Sequence, residues 1–359
     1  MNLPTRLKNY LIPLLTLTTT LVSSAQSPPP KVGSFDYKLK AAETIDKFVA
    51  TEFTRLKLPQ PKQVSDAKFA RRSYLVLAGR IPTLQEVESF IGTQDEYKRE
   101  TLVEDLLNSK GYISHTTNYY YDLLRAKERF NNNRSAAPYL AWIRKSVAEN
   151  KPWDTFSKEL LGAKGSIWSN GAVGYYTRDK GMQLDNLSNT TRLFAGTRME
   201  CAQCHDHPYN EKIDRMDFYR LAAFSNGFGE AKAPAFKLLR KQLRDQNKDR
   251  TDFGRFVRYV GDSVVYPSRQ GLGVGRIKLP KDYQYNDGDP HEMVGARTPF
   301  EKRVRMSDRK DGDDGIERFS KWLTKDNKRF TSVITNRMWN RVMGAGLYTP
   351  VDGYVAAEK

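Results

Sequence analysis

The sequence predicts a mainly α-helical protein whose C-terminal section contains a small β element, an α+β arrangement. Three observations support this prediction. Apolar residues recur at spacings of three and four along most of residues 41–228. Residues 229–312 lose this period and are rich in basic residues, Gly and Pro. Hydrophobic residues make up 39% of the 359 positions, which is enough to build a core and excludes a wholly disordered chain.

The first 40 residues predict an exported protein. Arg6 and Lys8 precede the apolar stretch Tyr10 to Val22, and small residues ending at Ala25 follow. This is the pattern of a secretory signal peptide, residues 1–25, cleaved near Ala25. Residues 26–40 are expected to form a linker, and no transmembrane segment is predicted because no apolar run is long enough. We therefore expect the mature protein in the periplasm or outside the cell.

The helical period predicts a series of helices in the domain formed by residues 41–228. The first has an apolar stripe from Ile45 to Leu56, and Thr83 with Glu86 predicts a capping box at the start of a later one. The Gly-rich and aromatic residues 162–181 are expected to form a long loop. The other helices are predicted over residues 65–78, 113–130, 136–149, 153–161, 184–198 and 215–224.

The section formed by residues 229–312 differs in pattern and charge. Alternating residues at 256–260 and 263–266 predict short strands, and residues 271–300 predict a small β element. The chain has a formal net charge of +17, and residues 231–270 are strongly basic. That basic stretch suits either a solvated helix face or contact with an acidic polysaccharide, whereas nucleic acid is not an expected partner. Helical patterning returns in residues 313–359, at 316–323 and 329–343.

The chemistry of the chain is concentrated in one heptapeptide, residues 201–207, which reads CAQCHDH. It contains both cysteines and two of the four histidines of the chain. The C-x-x-C-H spacing is typical of c-type haem attachment. In that interpretation Cys201 and Cys204 bind the two vinyl groups of haem c, and His205 is an axial ligand of the iron. Electron transfer is the function this predicts.

Two alternatives remain open at the same residues. Cys201, Cys204, His205 and His207 also have spacings suited to a non-haem Zn or Fe ion. The two cysteines could equally form a disulfide. These alternatives correspond to an envelope protein that binds glycans or to a glycan-processing enzyme. The sequence contains no nucleophile-elbow, Walker or dinucleotide motif, so it does not decide whether the chain is an enzyme. For haem, the candidate sixth ligands are Met182, Met199, Met216, His115 and His291, and the candidate pocket residues are Phe194, Met199, Tyr209, Phe218 and Phe224.

The residues around the motif resemble those of an exported family. The segments Phe194–Tyr209, Asp217–Tyr219 and Leu221–Phe224 resemble the domain-of-unknown-function family DUF1549, which is abundant in planctomycetes. Arg71–Leu75, Gly79–Thr83 and Lys151–Asp154 are similar to the same family. The resemblance implies a redox partner that carries a cytochrome c domain. Residues 313–359 are similar to the start of the companion family DUF1553, in a truncated form, through Trp322–Thr324, Asn336–Trp339 and Gly344–Leu347.

Overall fold

A computed structural model describes most of the chain and confirms a mainly α-helical protein with a small β element. The predicted signal peptide, most of the predicted linker and the predicted strand 263–266 lie outside the described residues. None of the described helices is both long and apolar enough to span a membrane. The described ranges are 34–130, 135–179, 182–226, 229–230, 234–257, 268–270, 275–300, 315–325 and 327–354.

The chain divides into two compact units, one ending at Val64 and the other beginning at Ser65. In the first unit, helix α1 (Phe35–Arg55) begins at Ser34, whose hydroxyl accepts a hydrogen bond from the Tyr37 amide. After the helix the chain turns back, and the Gln60 side chain donates to the carbonyl oxygen of Ala50. Helix α1 contains the predicted stripe from Ile45 except for its last residue, Leu56, which is the C-cap of the helix.

The second unit begins with a series of short helices. They are α2 (Asp66–Ser73), which continues as a π-helical turn (Tyr74–Ala78), then α3 (Leu84–Gly92), α4 (Lys98–Leu107) and α5 (Lys110–Leu123). The capping box of Thr83 and Glu86 is confirmed at the start of α3. The predicted helix 113–130 is too long, because Arg125 takes a left-handed backbone conformation, with φ 53°, just after Leu123.

Residues 162–181 were expected to be a loop, and this is wrong for part of the range. After α6 (Ala137–Ala148) and α7 (Trp153–Leu161), the chain forms strand β1 (Gly165–Ser166), a 3₁₀ turn (Gly171–Val173) and helix α8 (Gly174–Arg178). The glycines do not signal flexibility here. A Cβ at Gly174 would lie 2.4 Å from the Cβ of Tyr139, so glycine allows the backbone to pack against α6.

The core of the second unit surrounds the next two helices, α9 (Gln183–Ala195) and α10 (Arg215–Ala222). Their apolar residues are buried together with those of α6 and α7. A large part of this core is aromatic, and its rings are nearly inaccessible to solvent. These rings include Tyr139, Phe156, Tyr175, Phe194, Phe218 and Phe224.

The C-terminal part contains the β element. Strand β2 (Gly229–Glu230) and helix α11 (Pro234–Asp245) are followed by strands β3 (Ser268–Gln270), β4 (Arg276–Lys278) and β5 (Met293–Gly295), and then by helices α12 (Gly315–Thr324) and α13 (Lys328–Met343). β4 and β5 form an antiparallel pair, which confirms the β element predicted in 271–300. β1, β3 and β2 form a second small antiparallel sheet in that order.

The strand predicted at 256–260 is wrong where the structure describes it, because residues 252–257 are helical. The Thr251 hydroxyl accepts a hydrogen bond from the Gly254 amide at 3.2 Å, and the Arg255 amide donates to the Thr251 carbonyl oxygen at 2.8 Å. A threonine in this position starts a helical turn, and its cap outweighs the alternating pattern.

Candidate functional site

The first residues of the CAQCHDH motif form one tight 3₁₀ turn (Cys201–Gln203), called the motif turn below. The carbonyl oxygen of Cys201 accepts hydrogen bonds from the amides of Cys204 at 3.2 Å and His205 at 3.3 Å. Residues three apart in a 3₁₀ turn lie on the same side of it. The turn therefore places Cys204 on the side of Cys201, and His205 follows next in the chain.

The side chains of this turn differ in burial. Ala202 is completely buried in the core, and Cys201 is half-buried. Cys204 and His205 are exposed, and both cysteines are free thiols. The buried alanine fixes the turn to the core, while the sulfur of Cys204 and the imidazole of His205 remain accessible.

The hydrogen bond of His205 determines which nitrogen can bind a ligand. Its Nδ1 lies 2.7 Å from the carbonyl oxygen of Asp206. A carbonyl oxygen can only accept, so Nδ1 donates, and in the neutral imidazole Nε2 carries the lone pair. In the described part of the chain, no polar atom is hydrogen-bonded to Nε2. Histidines that ligate metals have this arrangement, with one nitrogen donating to a carbonyl and the other on the metal.

His207 has the opposite arrangement. The Tyr209 amide donates to its Nδ1 at 3.2 Å, so the proton is on Nε2, which donates to the carbonyl oxygen of Arg198 at 2.9 Å. Both nitrogens are occupied. The amide of His207 also donates to the carbonyl oxygen of Ile213 at 3.1 Å. His207 therefore ties together the two ends of the loop around the motif.

Arg215 supports the turn from the protein side. It is 5% exposed, and its Nε donates to the carbonyl oxygen of Gln203 at 3.2 Å. The Tyr219 hydroxyl donates to the same oxygen at 3.1 Å. The Arg215 guanidinium also donates to the Asp282 carbonyl oxygen at 3.1 Å and lies over the ring of Tyr283. Sequence reasoning did not select Arg215, because a single buried arginine beside a helix start has no periodic signal.

Asp206 and Asp214 both accept hydrogen bonds from backbone amides at the start of α10. Asp206 accepts a hydrogen bond from the Arg215 amide at 2.9 Å, and its own amide donates to the Tyr285 hydroxyl. Asp214 caps α10 by accepting from the Asp217 amide at 2.6 Å. Burial raises the pKa of the Asp214 carboxyl, and nearby carboxylates, including Asp217 and Asp206, raise it further. Asp206 thus has a structural role.

The C-terminal segment supports the chain that leads into the motif. Gly196 ends α9 with φ 61°, and its carbonyl oxygen accepts from the Tyr354 amide at 2.8 Å. Asp352 accepts from Arg192 at 2.9 Å and from Arg337 at 2.8 Å. These bonds join α9, α13 and the segment after α13. The entry to the motif is therefore held by a buried network of charged groups.

The candidate sixth ligands are scattered. Met199 and Met216 are buried in the core, whereas Met182 and His291 are exposed. His115 packs against Gly79, where an added Cβ would lie 2.5 Å from its Nδ1. Burial, followed by the charge of Arg341, lowers the pKa of His115. None of these residues is shown beside the Nε2 of His205.

The candidate pocket residues are placed in two ways. Tyr209 is 92% exposed. The other four are within the core: Phe194, Met199, Phe218 and Phe224. They therefore do not line an open apolar pocket.

Over the described ranges, no three His, Cys, Asp or Glu side chains converge closely enough to hold a metal ion. Two free thiols three residues apart, followed directly by a histidine, fit covalent haem attachment by their chemistry.

A family model matches the part of the chain that contains the motif turn. The family described as PSCyt2, protein of unknown function (DUF1549), matches residues 44–230, just over half of the chain. The chain belongs to the DUF1549 family. The matched range of the DUF1549 domain includes the motif turn and α10. No curated protein and no solved structure matches the chain. The description of the DUF1549 family assigns no activity, so the function has to be argued from the geometry.

Proposed function

We propose that the DUF1549 domain carries one c-type haem attached to Cys201, Cys204 and His205, and that it transfers electrons. The observation that carries the proposal is the state of His205. Its Nδ1 donates to a carbonyl oxygen and its Nε2 has no hydrogen bond among the described residues, and it directly follows a turn whose two cysteines are free thiols. Bound haem would supply a one-electron redox couple.

The roles of the protein groups follow from their positions. Cys201 and Cys204 would hold the haem, each through one thioether bond to a vinyl group, and His205 would supply a nitrogen ligand to its iron. The Asp206 carbonyl oxygen orients the imidazole of His205. Arg215 and Tyr219 hold the Gln203 carbonyl oxygen, which fixes the turn between the two cysteines.

The Zn or Fe alternative with all four motif residues is less well supported. It would require His207 to give up at least one of its two side-chain hydrogen bonds, to Arg198 and to Tyr209. Haem attachment leaves both bonds in place. For this reason we assign His207 to the framework of the loop and not to the ligand set. A disulfide would use the same two thiols. The mass of the protein distinguishes the two alternatives, because haem adds mass and a disulfide removes two hydrogens.

Location and partners belong to the same proposal. Haem c is attached outside the bacterial cytoplasm, which agrees with the signal peptide predicted in residues 1–25. The exposed Cys204 and His205 leave the site open to a redox partner, for which a cytochrome c domain protein is suited. The residues similar to the DUF1553 family lie on α12, on α13 and just after α13.

Absorption spectra of two histidine variants test the assignment. The full chain is exported from a host with haem-attachment machinery, and spectra are recorded before and after reduction. The wild type should show a Soret band that shifts on reduction. His207→Gln should keep these spectra, whereas His205→Gln should change the band positions or lose the colour, because it removes the axial nitrogen. A colourless wild type from a host that matures a control cytochrome would contradict the proposal, and so would unchanged spectra in His205→Gln.

A further inference from the structure

A cleft remote in sequence from the motif lies between α7 and α12. Its volume is about 510 Å³, within the usual range for sites that bind small molecules. Lys158 comes from α7, and Lys164 and Asn170 come from the loop that follows it. Glu317, Ser320 and Lys321 come from α12. None of these residues takes part in the proposed haem site.

The cleft has an excess of positive charge. Lys164 and Lys321 share one carboxylate, Glu317, at 3.0 Å and 3.1 Å. Their hydrogen bonds lower the pKa of Glu317, so it is ionised at neutral pH. In the region that the structure describes, no acidic side chain pairs with the ammonium of Lys158. The other acidic residue of the cleft, Glu159, is paired with Lys151 at 2.5 Å.

A buried hydroxyl also lines the cleft. Ser320 is 1% exposed, and its Oγ has no hydrogen-bond partner among the described residues. An unsatisfied buried hydroxyl costs stability unless something else completes its hydrogen bonds. A rotation of the Ser320 side chain toward the cleft would let a hydroxyl group of a ligand supply the missing partner.

The size of the cleft and a neighbouring tryptophan favour a ring-shaped ligand. A volume of about 510 Å³ is much larger than a simple inorganic ion requires. The Asn170 side chain donates to the carbonyl oxygen of Lys164 at 3.2 Å, which closes the loop between these two lining residues. Trp168 lies within this loop, outside the lining of the cleft itself, and is 55% exposed. Exposed aromatic rings provide flat apolar surfaces on which sugar rings can pack.

We propose that this cleft binds an anionic sugar residue, whose carboxylate or sulfate group is taken by Lys158, Lys164 and Lys321 and whose hydroxyl group is bound by Ser320. The site differs from the basic stretch 231–270, where the sequence suggested contact with acidic polysaccharide. It recognises one sugar unit by a formed cleft and not by a general positive surface. It does not depend on haem at Cys201 and Cys204.

Calorimetric titration of the full chain with short oligosaccharides tests the proposal. The probes are a uronate oligomer, a sulfated oligomer, a neutral oligomer of the same length, and inorganic phosphate. Binding of the uronate or the sulfated oligomer, with little binding of the neutral oligomer or phosphate, is the expected result, and the two charged probes identify the anionic group. Binding of none of the probes, or equal binding of the neutral oligomer, would overturn the proposal.

Matched variants locate the binding. Lys158→Gln should weaken the uronate or sulfate probe about tenfold by removing a charge-assisted hydrogen bond, whereas Lys145→Gln, an exposed lysine on α6, should have no effect. Ser320→Ala should weaken binding about threefold without loss of stability. Ser157→Ala removes another buried hydroxyl without a partner, on α7 but outside the lining, and should leave affinity unchanged. Equal effects of each variant and its control would overturn the assignment.

Discussion

The motif turn and the helix that leads to it, α9, differ in burial. Nine of the thirteen residues of α9 are buried, and they include polar side chains such as Asn186 and Thr191. In the turn, Cys204 and His205 are exposed. Cys204 and His205 are thus accessible, while the helix that leads to them is fixed by a buried polar network. Changes in the turn should therefore alter chemistry, and changes in the network should alter stability.

The largest expected effect is on the turn. The double variant Cys201→Ser with Cys204→Ser should have no covalent haem, because neither sulfur remains. Its free energy of unfolding without haem should change by no more than about 0.5 kcal/mol, because neither thiol is fully buried. Haem staining after denaturing electrophoresis and urea unfolding measure the two quantities. Haem that stays bound after denaturation would show that attachment lies elsewhere.

The second effect is on the network. Asp352→Asn should lower the free energy of unfolding by about 3 kcal/mol, because it leaves the buried guanidinium of Arg337 without its counter-charge. Urea unfolding measures this loss. The control is Asp252→Asn, where the carboxylate is 94% exposed and paired with Arg255, and the expected change is at most about 0.5 kcal/mol. Equal changes in the two variants would mean that the network does not support the site.

An intermediate effect is expected at His207, which belongs to the motif but stabilises the loop around it through two hydrogen bonds. His207→Ala should lower the free energy of unfolding by about 1.5 kcal/mol, because it removes the bonds to Arg198 and Tyr209. The variant should still attach haem. His205→Ala should cost less stability, because its side chain has one hydrogen bond and is exposed. The reverse order in urea unfolding would refute the distinction between the two histidines.

The smallest effect concerns pH. The pKa of Asp214 is raised in the folded protein, first by burial, so protonation of this carboxyl favours folding. Its contribution is present below the unfolded pKa and is lost as the pH rises through the folded pKa. Asp214→Asn keeps a cap for α10 and has no charge to bury. At neutral pH the variant should therefore be more stable than the wild type by about 0.5 kcal/mol, and this advantage should shrink below about pH 4.

Urea unfolding of both proteins at about pH 3 and about pH 7 checks this prediction. An advantage of the variant that is the same at both pH values would contradict the role of the carboxylate charge.

The helices were predictable because their signals are local. The capping box at Thr83 and the apolar period of α1, α7 and α9 follow from residues within one segment. The errors at residues 162–181 and 256–260 have a different origin. Gly174 is required by its contact with Tyr139, which is distant in sequence, and the cap at Thr251 outweighs an alternating pattern. Neither effect appears in the hydrophobic period.

The motif could be identified from its spacing, but the different roles of its two histidines could not. Sequence spacing treats His205 and His207 alike as ligands. Their difference depends on where the carbonyl oxygens of Asp206 and Arg198 and the amide of Tyr209 lie. In the same way, Arg215 and Asp352 become part of the site only through contacts that the fold creates.

The most direct test of the central claim is the intact mass of the denatured wild-type protein, exported in a host with haem-attachment machinery. The account predicts the mass of the processed chain plus one haem, and the chain mass alone for the double cysteine variant. A wild-type mass equal to the processed chain, or lower by two hydrogens as a disulfide requires, would contradict haem attachment at Cys201 and Cys204.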